Sequence, residues 1–414
     1  MEIVHTHCAG LDVHKKTVVA AVSVPKPSGD WQQATRTFAT MTSDLLALSD
    51  WLTNQGVSHV ALESTGEYWK PVFNILETNF EVVLVNAQHI KAVPGRKTDV
   101  NDAEWLADLL KHGLLKASFV PPEGQRELRE LTRSRTTFVR ERATLVNRIH
   151  KVLESANIKL ASVATDVTGA SGRAILAELI QGRASPATMA DLAKGRLRAK
   201  REQLIKALEG RVKAHHRFIL TELLCQIDNL DEAIARFDQQ IQEYCRPVEE
   251  AVRHLDTIPG VARETAEIIV AEIGTDLSRF PSAAHLASWA GVAPGNNESA
   301  GKRRSGKTRK GDRPLGVALN QAAHGASHTK NTYLAAQYHR LVARRGKKKA
   351  IGAVAHSILV IADHLIARKE DYRELGGDYF DQRRPEATAN HLVKRLEALG
   401  YTVNIQTQTA SVAA

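Results

Sequence analysis

The sequence predicts an α/β domain at the N-terminus, a helical middle segment and a mainly α C-terminal domain. Short apolar runs alternate with helix-like segments over residues 9–110, which is typical of an α/β domain. Two long patterns, over residues 126–155 and 218–244, space their apolar residues alternately by three and four, as the seam of a coiled coil does. Apolar stretches with helical spacing follow after residue 257.

The N-terminal elements alternate in type along the chain. The predicted strands are residues 9–13, 17–24, 37–39, 59–62 and 82–85. The predicted helices are residues 43–52, 68–77 and 99–110. This pattern predicts a sheet with helices packed against it.

A proline pair, Pro121 and Pro122, predicts the end of this first domain. We expect domains at 1–121, at 122–250 (a coiled-coil helical hairpin with an insertion at about 162–214) and at 251–384, followed by a tail at 385–414. The insertion contains a very basic predicted helix, 194–206. The third domain contains predicted helices at 315–326 and 350–367, and residues 291–313 read as a loop.

Charge and cysteine content restrict the class of protein. The 414 residues include 56 Lys and Arg against 46 Asp and Glu, a formal net charge of +10, which favours a polyanionic partner. Three widely spaced cysteines form neither a disulfide framework nor a zinc site, which indicates a reduced, cytoplasmic protein. The first residues lack the apolar core of a signal peptide, and no uninterrupted apolar run reaches spanning length, so we expect no membrane partner.

Four carboxylates occur in the pattern that a magnesium site for phosphoryl transfer requires. Asp12 lies within a strand-like run, Glu63 ends another, and Asp99 and Asp102 share one face at a predicted helix start. Mg²⁺ prefers hard oxygen ligands, and paired ions activate the attacking oxygen and stabilise the leaving one. Alternatively, Asp99 caps the helix, Asp102 complements its dipole and Glu63 is an exposed charge. Asp12 is harder to explain in that way, because an unpaired carboxylate inside an apolar strand is costly.

Several segments resemble one known family. GLDVHKKTVVAAV (10–22), ALESTGEYW (61–69) and KTDVNDAEWLADLL (97–110) resemble the DEDD-type insertion-sequence transposases, which are related to the Piv invertases and include bridge-RNA-guided recombinases. IPGV (258–261) and GVAPGNNESAG (291–301) extend the resemblance, which covers nearly the whole chain, from about residue 8 to 379.

The resemblance implies an RNase H-like (RuvC-like) catalytic domain whose metal-binding acids match Asp12, Glu63, Asp99 and Asp102. Mg²⁺ is the implied cofactor, for which Mn²⁺ can substitute. The family's nucleophilic serine, which follows a glycine-proline loop, matches Ser299. The family often has Ser-Gly where this chain has Ser-Ala, and a Ser-Gly pair begins nearby at Ser305, so Ser305 stays an alternative.

The resemblance also implies an activity and partners. Members cut and rejoin the DNA of a mobile insertion sequence, at the element ends and the target, through a covalent phosphoserine intermediate. A structured noncoding bridge RNA guides them. In family members the acids and the serine meet across protomers, so we expect a homodimer or homotetramer that acts in the cytoplasm, at the bacterial nucleoid.

Two basic groups are candidate nucleic-acid contacts, because Lys and Arg neutralise phosphates. The first follows the serine: Lys302, Arg303, Arg304, Lys307, Arg309, Lys310 and Arg313. The second is Arg344, Arg345, Lys347, Lys348 and Lys349. Solvated charge is the alternative for both. The arginine-rich face of the first long helix can bind RNA or stay solvated, and the IPGV turn can face phosphates or simply pack.

Three other functions compete with this interpretation. A resolvase-type endonuclease would use the same acids with water as its nucleophile. An actin-like sugar kinase or ATPase also carries a strand aspartate, but the glycine-rich phosphate loops it needs are missing from the sequence. A non-catalytic nucleic-acid-binding relic would not need four intact acids.

Overall fold

The computed structural model describes residues 2–26, 30–64, 66–86, 102–295, 297–306, 308 and 311–405, with only the backbone described at 297, 303 and 304. The chain divides into two compact units, Met1–Pro121 and Pro122–Ala414. Separate hydrophobic cores fill the two units.

A five-stranded mixed sheet forms the centre of the first unit. Its strands are β1 (Cys8–Val13), β2 (Thr17–Pro25), β3 (Trp31–Ala39), β4 (His59–Glu63) and β5 (Glu81–Val85). The strand order is β3-β2-β1-β4-β5, with β2 antiparallel to both β1 and β3, and β4 parallel to both β1 and β5. The predicted α/β class is confirmed for this unit.

The third strand is longer than the sequence predicts. We predicted residues 37–39, whereas β3 spans Trp31–Ala39 and pairs with β2 along its whole length. It lies at the sheet edge and is mostly exposed. An edge strand can be polar on both faces, so it lacks the apolar alternation on which the prediction relied.

Within the described part of the first unit, three helices cover the sheet: α1 (Thr42–Asn54), α2 (Trp69–Leu76) and α3 (Asp102–Lys111). Successive strand residues point to opposite faces. Leu62 of β4 therefore packs in the core shared with α1 and α2, whereas its neighbour Ala61 packs with Leu110 of α3. The sheet is a middle layer, with α1 and α2 on one face and α3 on the other.

A long antiparallel helical hairpin begins the second unit. Its arms are α4 (Glu123–Ser155) and α9 (Ala214–Cys245). The Phe138 and Phe237 rings lie 5.2 Å apart, and near the far end Ser155 contacts His216 at 3.3 Å. Leu145 and Ile149 of α4 share a core with Leu223 and Ile227 of α9, so apolar residues spaced by four line the seam on both arms.

The segment between the two arms folds around a core that it shares with the arms: Ile175 and Leu204 of the segment pack with Leu153 of α4 and Leu220 of α9. Its elements are α5 (Leu160–Val163), α6 (Ala170–Gln181), α7 (Pro186–Ala190), a 3₁₀ helix (Gly195–Lys200) and α8 (Arg201–Leu208). The single basic helix predicted at 194–206 was wrong. The 3₁₀ turn occupies its first part, and the α-helix starts only at Arg201.

Several arginines of α4 form ion pairs within the unit. Arg135 is buried and lies 2.7 Å from Glu267 and 3.0 Å from Asp238 of α9. Arg142 pairs with Asp231 of the same arm. Arg142 therefore joins the two arms of the hairpin, and Arg135 also joins the hairpin to Glu267. Neither RNA binding nor plain solvation, the two uses left open for the arginines of this helix, describes these two residues.

Helices dominate the remainder of the second unit. They are α10 (Glu249–Asp256), α11 (Arg263–Ile273), α12 (Ala283–Trp289), α13 (Arg313–His328), α14 (Tyr333–Arg345), α15 (Lys347–Arg368), α16 (Tyr379–Gln382) and α17 (Pro385–Ala398). Leu255, Ile269, Leu319 and Ile358 share their core. The helical character predicted for the rest of the chain is thus confirmed.

The helix α15 is long and apolar enough to cross a membrane by length and composition. Its apolar residues Val354, Ile358 and Leu359 are buried in the core of the second unit. A helix that is apolar over much of its circumference is also what the centre of a large core requires, so its composition follows from its position.

The IPGV turn packs against α13. Gly260 has a φ of 86°, and a Cβ placed on it would lie 2.3 Å from the backbone nitrogen of Ala326. Only glycine fits there, both because of the left-handed backbone and because of the close approach. Packing therefore explains this turn, which was one of the two interpretations left open.

Candidate functional site: an acidic sheet edge and a serine hairpin

Two of the predicted acids lie at the same edge of the sheet. β1 and β4 are parallel neighbours, and their last paired residues are Leu11 and Leu62. The next residue in each strand is an acid, Asp12 in β1 and Glu63 in β4. Because parallel strands end at a common edge, these two carboxylates are neighbours there.

The two acids also point to the same face of the sheet. Side chains alternate along a strand, so Asp12 shares a face with Gly10 and Cys8, and Glu63 shares one with Ala61. Cys8 and Ala61 both pack against α3. Asp12 and Glu63 therefore lie on the side of the sheet that α3 covers.

The helix α3 brings a third acid toward this edge. A Cβ on Gly10 would lie 2.2 Å from the carbonyl oxygen of Ala103 and 2.4 Å from the nitrogen of Ala107, so the helix backbone rests directly on β1. At its other end, Lys111 O accepts from Val4 N, at 2.8 Å, before β1 begins. The helix therefore runs antiparallel to β1, and its first residue, Asp102, lies toward the strand end that carries Asp12.

The fourth predicted acid, Asp99, lies outside the described residues. Among the described residues, no three His, Cys, Asp or Glu side chains are close enough to hold a metal together. The Asp12 side chain is one-quarter exposed, and its Oδ2 lies 3.1 Å from His14 Nε2. A contact of this kind orients a carboxylate for ligation.

Ser299 lies in a β-hairpin of the second unit, where the sequence was read as a loop. The hairpin consists of β6 (Asn297–Ser299) and β7 (Lys302–Ser305). Ala300 and Gly301 form the turn, with φ values of 51° and 71°. Hairpin turns of two left-handed residues usually carry Asn-Gly, so the Ala-Gly pair gave a weak signal.

The two candidate serines occupy opposite ends of this hairpin. Ser299 pairs with Lys302 beside the turn, and Ser305 pairs with Asn297 at the open end. Both serines are exposed. Ala300, directly after Ser299, has a conformation that costs a non-glycine residue about 1–2 kcal/mol. Such strain is common where a chain positions a functional group.

The predicted basic contacts divide into described and undescribed residues. Lys302 in β7 and Arg313 in the first turn of α13 are exposed. The side chains of Arg303 and Arg304, and the whole of Lys307, Arg309 and Lys310, lie outside the described residues. The second group is exposed at the junction of two helices: Arg344 and Arg345 end α14, and Lys347, Lys348 and Lys349 begin α15.

A partly buried charge network holds Asp312, just after the serine segment (residues 292–310, the part of the chain that carries Ser299). Asp312 caps α13 by accepting from Leu315 N at 2.9 Å, and its other oxygen lies 3.3 Å from Arg133 of α4. Arg133 also binds both oxygens of Glu272, at 2.8 and 2.7 Å, and Arg129 reaches the same carboxylate at 3.3 Å. Sequence reasoning missed this network, because the distant positions 133, 272 and 312 show no local pattern.

The network predicts a large stability effect at Glu272. Its side chain is fully buried, and that burial raises the pKa of the carboxyl although hydrogen bonds from Arg133 lower it. Glu272→Ala removes the carboxylate that lies 3.3 Å from the mostly buried Arg129, so we expect a loss of about 3 kcal/mol in the free energy of unfolding. Urea unfolding followed by circular dichroism measures it.

The matched control for this prediction is an exposed ion pair. Glu232 contacts Arg236 at 3.8 Å, and both side chains are more than two-thirds exposed. We expect Glu232→Ala to leave the unfolding curve almost unchanged, because solvent screens such pairs. Equal effects of the two substitutions would show that the network around Glu272 does not stabilise the unit.

Comparisons with known proteins match two parts of the chain to transposase families. A transposase family model of the DEDD, IS110 type matches residues 9–158, and a transposase model of the IS116/IS110/IS902 family matches residues 252–340. The transposase for insertion sequence element IS1111A of Coxiella burnetii is 27% identical over 331 residues, which cover 77% of this chain and 80% of that protein. The insertion element IS116 uncharacterized 44.8 kDa protein of Streptomyces clavuligerus is 27% identical over 263 residues, which cover 54% of this chain and 62% of that protein.

Proposed function

Since the chain belongs to the IS110/IS116 family of transposases, we propose that it cuts and rejoins the DNA of a mobile insertion sequence through a serine nucleophile and a magnesium-binding acidic site. The observation that carries the proposal is the convergence of Asp12, Glu63 and the start of α3 on one face at one edge of a mixed sheet. This arrangement supports an RNase H-like (RuvC-like) catalytic domain.

The residues at this edge fit a divalent cation. Mg²⁺ is usually bound by one or two carboxylates together with water and substrate phosphate, so a complete protein cage is not required. Asp12, Glu63 and Asp102 supply hard oxygen donors, and we propose Asp99 as the fourth. When bound, Mg²⁺ (or Mn²⁺) supplies a Lewis acid beside the scissile phosphate.

Ser299 is the proposed nucleophile. Its Oγ forms a bond to phosphorus while the bond to the leaving deoxyribose oxygen breaks, and that oxygen takes up a proton. The phosphodiester energy is thereby retained in a phosphoserine link. In the rejoining step, a sugar hydroxyl of the incoming strand attacks phosphorus and releases Ser299. The exposed Lys302 and Arg313 neutralise the phosphates of that strand, and the second basic group at 344–349 holds a more distant part.

A guide RNA and a multimer complete the proposal, and both come from the family resemblance. We propose that a structured bridge RNA selects the target and donor DNA, which spares the protein a base-reading code of its own. The acidic edge lies in the first unit and Ser299 in the second. We propose a homodimer or homotetramer in which the two meet across protomers, acting at the nucleoid.

The test is capture of a covalent protein–DNA adduct. The full chain is incubated with Mg²⁺, the noncoding RNA that flanks its element, and labelled junction DNA, and then run on a denaturing protein gel. We expect a labelled band that survives denaturation and is lost in EDTA. Cleavage without a protein-bound label would instead favour a metal-dependent endonuclease that uses water, and no cleavage with any metal or RNA would favour a non-catalytic relic.

Asp12→Asn is the sharpest probe of the metal site within this assay. The substitution keeps the shape of the side chain and removes its negative charge, so we expect the labelled band to fall by at least about a hundredfold. Asp50→Asn is the matched control, because Asp50 is an exposed acid of α1. A full-strength adduct in Asp12→Asn would remove Asp12 from the proposed site.

A further inference from the structure

A cavity of about 770 Å³ opens along one face of α13. The helix lines it with residues that recur every three or four positions: Arg313, Gly316, Val317, Asn320, Gln321 and His324. This spacing puts them on a single face of the helix. The volume lies within the range of sites for nucleotide-sized ligands, roughly 300–1,000 Å³.

The cavity also borders both ends of the serine segment. Gly291 and Gly311 line it, and a Cβ on Gly311 would lie 2.3 Å from the nitrogen of Gly291. Ser299 lies in the part of the chain between Gly291 and Gly311. Its two ends therefore touch at the cavity wall, and a ligand there lies at the base of that segment.

The chemistry of the helical face fits a nucleotide. Arg313, at the start of the helix, is exposed and can pair with a phosphate. Asn320 and Gln321 carry amides, which combine donors with an acceptor as base edges do. Asn320 Nδ2 donates to Gly316 O at 2.7 Å, which holds this amide at the cavity. Gly316 has no side chain and Val317 has a small apolar one, so together they leave room for a base ring against an apolar surface.

We propose that this cavity binds one unstacked nucleotide of a single DNA strand, next to the strand position on which Ser299 acts. The inference rests on the proposed function, because it names a part of its DNA substrate. A cavity of this size receives a base only after the base has left the helical stack. Strand exchange exposes such bases beside the cleaved phosphate, so the site would hold the strand between cutting and rejoining.

Gly316→Leu tests the proposal by filling the cavity. A Cβ at Gly316 meets nothing within 4 Å, so the new side chain extends into the open space, and leaving glycine raises the helix propensity. The probe is a short single-stranded DNA with one 2-aminopurine, titrated in EDTA. We expect wild-type protein to change the 2-aminopurine fluorescence, and Gly316→Leu to bind at least about tenfold more weakly.

The matched control is Gly352→Leu in α15. Its Cβ also meets nothing within 4 Å, and it too is a glycine inside a helix, but it does not line the cavity. We expect wild-type affinity for this variant. Unchanged binding in Gly316→Leu, an equal loss in Gly352→Leu, or tighter binding of the same oligonucleotide made as RNA would each overturn the proposal.

The experiments distinguish a failure of the nucleotide-site proposal from a failure of the proposed function. Binding in EDTA involves no chemistry, whereas the covalent adduct requires metal and Ser299. If Gly316→Leu bound the probe normally while wild-type protein formed the adduct, only the nucleotide site would be wrong. If Gly316→Leu lost binding while no adduct formed with any metal, the nucleotide site would stand and the serine chemistry would fall.

Discussion

Ser299→Ala is expected to abolish the covalent protein–DNA adduct and to lower strand cleavage by a factor of about 10⁴ or more. Alanine lacks the oxygen that forms the bond to phosphorus, and water does not occupy the same position. The exposed position of Ser299 predicts that the fold is unaffected. The readouts are the labelled band on a denaturing gel and, separately, the rate at which labelled DNA is cut.

Ser305→Ala is the matched control, since it places the same substitution in the same hairpin. Ser305 is also exposed, but it lies at the open end of the hairpin, away from the turn. We expect its adduct to keep the wild-type intensity within about twofold. If Ser305→Ala removed the labelled band and Ser299→Ala did not, the nucleophile would be Ser305. If both variants still cut the DNA at the wild-type rate, attack by water would be indicated.

Much of the acidic site could be predicted from the sequence, because it depends on local patterns. The apolar runs around Asp12 and before Glu63 predicted two strands, and both were found. A helix was predicted over residues 99–110, and α3 spans Asp102–Lys111, with Asp99 outside the described residues. What the sequence could not provide was the pairing of β1 with β4, which makes neighbours of residues 51 positions apart.

The serine region was harder to predict, because its structure depends on backbone contacts. Ala300 follows Ser299 in a left-handed conformation that its residue type disfavours, so the turn was not recognised. The sequence predicts an arginine-rich face on α4, yet Arg133 of that face binds the carboxylate of Glu272, 139 residues away. Residue type alone does not separate such paired charges from those that meet nucleic acid.

Gly10→Ala is expected to disrupt the first unit by about 3 kcal/mol or more, although it adds a single methyl group. The new Cβ would lie 2.2 Å from Ala103 O and 2.4 Å from Ala107 N, and these are backbone atoms of α3 that no rotamer change can move. The sequence carried the signal, because glycine inside a strand often marks a close backbone approach. Urea unfolding followed by tryptophan fluorescence is the measurement, because four of the five tryptophans lie in this unit.

The same substitution also tests how the acidic edge is assembled. Any shift of α3 away from the new methyl group moves Asp102 relative to Asp12. We therefore expect the affinity for Mg²⁺ to fall even if the variant remains folded. Gly124→Ala, at the start of α4, is the control, because a Cβ there meets nothing within 4 Å. It should leave both the fluorescence transition and metal binding unchanged. If Gly10→Ala unfolded like the wild type and bound Mg²⁺ normally, the contact of α3 with β1 would not be what positions Asp102.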